Sequence, residues 1–139
     1  MLSSISFGKI VKVNAPVKTA QKIILMSHRH TEAGRKLNAI LNENKPGKAH
    51  AYSFPDKEEE SYIFTGVEGQ KYWKSHCEAW DKIEHSHHYY KGDRETANAQ
   101  TAWSQHSKNV AGIIKSYNGK MLELDEKCLE DKNQININI

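Results

Sequence analysis

The stretch from Gly69 to Lys91 constrains this chain most, because it carries two helical rows at once. Trp73, Cys77, Trp80, Ile83, His87 and Tyr90 recur at three- and four-residue steps. That is the spacing of a helix burying one stripe. Beside it, Cys77, Asp81, His85 and His88 follow at steps of four, four and three and form a second row. The first row predicts a core helix. The second is either a solvated face or a set of metal donors.

A second amphipathic segment follows at once. Lys91-Gly92-Asp93 reads as a stop, with Asp93 placed to cap what comes next. Ala97, Trp103, Val110, Ile113, Ile114 and Tyr117 then fit one helical face, closed by Asn118-Gly119. Two helices joined by a tight polar turn pack antiparallel. The reading places Trp73, Trp80 and Trp103 between them and leaves the histidines outside.

Upstream of this pair the pattern changes. Ile5, Phe7, Val11 and Val13 alternate through residues 4–13, which predicts a strand, and Gly8 marks a bulge or a close approach of another backbone. Asn14-Ala15-Pro16 reads as a helix start, with Asn14 as the cap. Val17, Ala20, Ile23 and Ile24 continue as an apolar face, and Ser27 to Thr31 interrupts it. Thr31 can cap a further piece through Ala33, Leu37, Ile40 and Leu41, so residues 15–43 form one bent helix or two, ended by Lys45-Pro46-Gly47. His50–Phe54 and Ser61–Thr65 read as a strand hairpin over a long polar loop, and Gly66–Gly69 as a turn. Met121–Leu124 is a last strand or the beginning of a short helix through Leu129.

The fold class expected is α+β, with a small antiparallel sheet packed against a helical hairpin and an N-terminal helix. Residues 1–132 are expected to form a single domain, with 133–139 a C-terminal strand or flexible tail. Length agrees with this, since 139 residues suit one domain. The hydrophobic fraction is only 37%, but three Trp, six Tyr and three Phe supply large apolar areas to a modest core. No run of about 18 apolar residues is present, so no membrane span is expected, and the first residues do not resemble a signal peptide. Two cysteines, Cys77 and Cys128, make no disulfide framework, and the reading is cytoplasmic.

Charge is uneven. Residues 1–50 hold nine Lys and Arg against two Glu, a balance of +7, while the remainder holds eleven against fifteen acids, a balance of −4. Lys18, Lys22, Arg29, Arg35 and Lys36 could contact phosphates, but no aromatic interleaves with them and no recognition module is legible.

Metal chemistry would draw on Cys77, Asp81, His85 and His88. One helix presents only two adjacent donors comfortably, so His106, His28 or His30 would have to complete a zinc site. No CxxC or HExxH spacing occurs. Gly66-Val67-Glu68-Gly69 lacks the Lys-Ser/Thr of a phosphate loop, and Glu68 would repel an anion. No catalytic motif stands out. The alternation of Ile135, Ile137 and Ile139 with Asn suits addition to a sheet edge, in this molecule, a second copy or a partner. The functional expectation is a non-catalytic binding protein, an inhibitor or adaptor whose partner is another protein. The alternatives are a nucleic-acid-binding protein using segment 18–36, and a metal-binding protein using the Cys/His helix face. No cofactor is expected, zinc being the one candidate.

Overall fold

The computed structural model describes residues 8–41, 49–89 and 93–130, with side chains in the two long helices described as far as residue 84 and from residue 99 onward. The described elements are β1 (Ile10–Val13), α1 (Val17–Ser27), α2 (Glu32–Leu41), β2 (His50–Tyr52), β3 (Ser61–Phe64), α3 (Gly66–Tyr89), α4 (Asp93–Ser116), β4 (Leu122–Leu124) and α5 (Lys127–Glu130). The fold is α+β. The chain divides into two compact units, one from the residues up to Gln70 together with those from Asn118 onward, the other Lys71–Tyr117.

Among the described residues the first unit is built on a four-stranded sheet in the order β2-β3-β1-β4. β1 pairs antiparallel with β3, Val11 opposite Ile63, and β2 pairs antiparallel with β3, Tyr52 opposite Tyr62. β4 lies parallel to β1, Val11 opposite Leu122 and Val13 opposite Leu124. The sheet is therefore mixed rather than antiparallel as expected. β3 runs opposite to β1. β4 runs opposite to β3, and so in the direction of β1.

Alternation sorts the sheet into two faces. Val11, Val13, Ala51, Ile63, Leu122 and Leu124 share one face and form a core with Ala20 and Ile23 of α1 and Leu37, Ile40 and Leu41 of α2. The cover of this face comes from α1 and α2, with Cys128 of α5 joining the same core. Ile10, Lys12, Tyr52, Tyr62 and Phe64 occupy the other face by register. There Lys12 Nζ lies 3.5 Å from Glu60, and Phe54 meets Tyr52 and Tyr62 edge-on.

Residues 15–41 form two helices. Thr31 accounts for the break: its Oγ1 accepts the Gly34 amide at 3.0 Å and its carbonyl accepts the Arg35 amide at 2.9 Å, a side-chain cap on α2. Gly34 is required there, since a Cβ would collide with the carbonyl oxygens of Met26 and Arg29. Asn14 does not cap α1. Pro16 takes the cap position without a side-chain bond, and Asn14 instead extends the β1–β4 pairing, its amide reaching Leu124 O at 2.8 Å and its side chain donating to Glu123 at 3.1 Å.

Gly8 meets the expectation of a close approach. It sits at φ +108°, where a Cβ would run into the backbone of Thr65 and Val67. Thr65 fastens this corner: its amide donates to Lys9 O at 2.9 Å, and its hydroxyl accepts from Lys9 N at 3.0 Å and donates to Leu41 O at 3.1 Å. Residues 66–69 form the first turn of α3 rather than a separate turn, the Gly69 amide already bonding Thr65 O at 3.1 Å. Of the two readings offered for Met121–Leu124 the strand holds, as β4, and the helix begins only at Lys127 as the one-turn α5.

Candidate functional site

The second unit holds the densest cluster of chemistry-bearing side chains among the described residues. Its pairings are Trp80 with Trp103, Ser75 with His106 and Ser75 with Asn109. Partner numbers rise along α4 as they fall along α3, so the two helices run antiparallel, as expected.

Their rotation is not as expected. The buried residues of α3 in this unit are Tyr72, Ser75 and Ala79, and those of α4 are Ala102, His106 and Val110. The buried stripe of α3 is thus displaced by about one residue from the anticipated Trp73–Cys77–Trp80 row. Trp73 and Trp80 are 49% and 46% exposed, while His106 is 2% exposed. The His106 imidazole lies inside and the Trp73 and Trp80 indoles are half-exposed, against the sequence reading, while Trp103 is half-buried and meets Trp80 across the two helices in keeping with it. The buried positions are mostly small or short, so the helices can approach closely there, and bulky indoles are placed along the flanks.

A chain of hydrogen bonds crosses between the helices. Gln105 Nε2 donates to Asn109 Oδ1 at 3.0 Å, and Asn109 Nδ2 donates to Ser75 Oγ at 3.0 Å. Ser75 Oγ lies 2.7 Å from His106 Nδ1. With Asn109 donating to the hydroxyl oxygen, the hydroxyl proton is available to His106 Nδ1, and the imidazole then carries its own proton on Nε2. His106 is held neutral: burial, with the neighbouring His76 adding to it, lowers its pKa to about 4.

His76 is the hub of the aromatic contacts. Trp73 stacks on it at 5.1 Å between centroids with an interplanar angle of 18°, and Trp80, Trp103 and His106 surround it at 6.4, 5.6 and 5.7 Å. Trp80 Nε1 donates to His76 Nε2 at 3.0 Å. Indole N–H is only a donor, so His76 must accept, which is possible only for neutral imidazole with its proton on Nδ1. Burial lowers the pKa of His76 in the same sense. Its Nδ1 finds no hydrogen-bond partner among the described residues, a polar cost that the surrounding rings must offset.

The 2.7 Å Ser75–His106 contact has the length of an activated nucleophile and its base. Ser75 is only 5% exposed and its oxygen is already taken by Asn109, so the pair reads as a latch between helices rather than a reactive centre.

The residues singled out from sequence fall as follows. Cys77 is a half-buried free thiol and Asp81 is exposed on α3; the side chains of His85 and His88 lie outside the described residues. Among the described residues no three His, Cys, Asp or Glu side chains converge as metal ligands. Cys128 is also a free thiol, buried in the first unit, its pKa raised to about 11 by burial and by the charge of Asp125. Lys18, Lys22, Arg29, Arg35 and Lys36 are all exposed on or beside α1 and α2, and Lys36 lies 3.5 Å from Glu32. Ile135, Ile137 and Ile139 lie outside the described residues. Sequence reasoning missed Tyr72, Ser75, His76 and Asn109. A signal was present in the spacing Tyr72-Ser75-Ala79 opposite Ala102-His106-Val110, a narrow row of small and polar residues suited to a close helix contact. Among the described residues no helix is long and apolar enough to cross a membrane. Compared with known proteins, the chain matches no protein family, no curated protein and no solved structure.

Proposed function

We propose that this chain is a binding protein, an inhibitor or adaptor, that docks another protein through the indole face of α3. The observation that carries the reading is the pair Trp73 and Trp80, about half exposed and seven residues apart on one helix. Large aromatic side chains left in water are costly unless a partner covers them, and Trp is the residue most enriched at interaction hot spots. Both indoles are already oriented, Trp73 by its stack on His76 and Trp80 by its hydrogen bond to the same ring and its 5.5 Å edge contact with Trp103. A preoriented side chain loses less entropy on binding. Two free thiols suit a reducing cytoplasm as the place of action.

The test compares capture from the native cell by the wild-type chain with capture by a Trp73→Ala/Trp80→Ala variant. The reading expects a protein recovered with the former and reduced at least tenfold with the latter, while thermal unfolding of the two stays within a few degrees. Equal recovery would remove the indole face as the docking surface. Sedimentation of the wild-type chain alone, run first, separates a foreign partner from a second copy.

A further inference from the structure

Five exposed cations of the first unit lie on or beside α1 and α2, while Lys57, Lys120 and Lys127 are exposed elsewhere in the same unit. Lys18, Lys22, Leu25 and Arg29 follow one another at steps of four, three and four, a single row along α1 and just past its end. All four are exposed, Leu25 to 64%. Arg35 and Lys36 are exposed on α2. Across residues 17–41 these five cations face a single acid, Glu32, which lies 3.5 Å from Lys36. The other exposed acids described in the same unit are Asp56, Glu58 and Glu59 in the β2–β3 loop, Glu123 on β4, and Asp125 and Glu126 before α5. Because Ala20, Ile23, Leu37, Ile40 and Leu41 turn the apolar sides of α1 and α2 into the core, the cationic sides are the ones left to solvent.

We propose that the outward face of α1 and α2 is a second interaction surface, one that takes the phosphate backbone of a nucleic acid. At a rise of about 1.5 Å per residue, Lys18 and Lys22 stand roughly 6 Å apart along α1, and Arg29 lies two residues past its end. A row of that kind matches a linear polyanion, which offers a phosphate charge every ~1.7 Å of duplex and needs no fixed register. A compact anion needs donors converging on one point, and these side chains are strung out instead. A lipid surface needs an apolar wedge, and Leu25 alone interrupts the cations. No aromatic lies within the row, so contact is with backbone charge and not with bases. The inference is independent of the indole face.

The experiment is fluorescence anisotropy of a labelled 20-base-pair DNA duplex with the full chain, from 50 to 200 mM salt. Four engaged phosphates give a log–log slope of about −3.6, which is roughly a hundredfold weakening over that range. Lys18→Glu/Lys22→Glu/Arg29→Glu is expected to weaken binding at least tenfold and to flatten the slope by about 2 to 3. The neutral variant Lys18→Gln/Lys22→Gln/Arg29→Gln, checked by circular dichroism, does the same more mildly and guards against misfolding. Trp73→Ala/Trp80→Ala leaves duplex binding unchanged. Absence of duplex binding at 50 mM salt, or equal binding by the triple variants, overturns the proposal. So does tighter binding to polyglutamate, which would assign the row to an acidic protein, or to vesicles containing phosphatidylserine, which would assign it to a membrane.

Discussion

At the scale of single residues, protonation state decides which atoms can bond. Trp80 can donate to His76 Nε2 only while that nitrogen keeps its lone pair. Because the pKa of His76 is lowered, the bond persists at neutral pH and is lost in acid below the ordinary histidine range. The indole N–H resonance of Trp80 should therefore move upfield as pH is lowered from 7 towards 4, read by two-dimensional NMR. A resonance that stays in place would show that the imidazole is not its acceptor. Two backbone positions are equally specific. Thr31→Ala removes the cap of α2 and should cost about 1 kcal/mol in urea unfolding. Gly8→Ala places a Cβ against the Thr65 and Val67 backbone at φ +108° and should cost more, up to about 3 kcal/mol. Equal costs would mean that the Gly8 corner yields easily.

At the scale of elements, spacing in the sequence located most helices and strands but not how the long helices turn. α1 and α2 were legible because Ala20, Ile23, Leu37 and Ile40 are unambiguous apolar residues at helical steps, and Thr31 is a cap residue at a break. The β2–β3 pair was legible from its alternating aromatics. The parallel pairing of β4 was not, since no local residue sets a strand's direction. On α3 and α4 the signal misled, because Trp weighs as heavily apolar while a close helix contact selects for small side chains. Ser75, Ala79 and Ala102 occupy that contact, and His106 enters it through its bond to Ser75. The cost of removing that bond can be measured. His106→Leu should lose about 1–3 kcal/mol, since it deprives buried Ser75 of its partner. In a double-mutant cycle with Ser75→Ala the two losses should fall short of additivity by about 1 kcal/mol or more. Strict additivity would indicate that the two side chains act separately.

At the scale of the whole molecule, the buried imidazole ties stability to pH. In the unfolded chain His106 regains an ordinary pKa near 6.5, while in the folded chain it sits at about 4. Between those values the unfolded state binds more protons, so stability is complete above about pH 6.5 and declines as pH falls towards 4. A difference of that size corresponds to about 3 kcal/mol at most. The wild type should therefore exceed His106→Leu in stability at pH 7, and the gap should close by pH 4, read by urea midpoints across the range. A gap of constant width would detach His106 from the acid response.

One arrangement is central to the second unit: neutral His106 and His76 packed among the rings of α3 and α4, with Trp73 and Trp80 half-exposed. Titration of the histidine ring protons by NMR in the intact chain examines it most directly. The arrangement predicts a His106 midpoint near pH 4 and a His76 midpoint below 6.5. Midpoints for both at the value of free histidine would contradict it, placing these rings in water and returning the indoles to the interior.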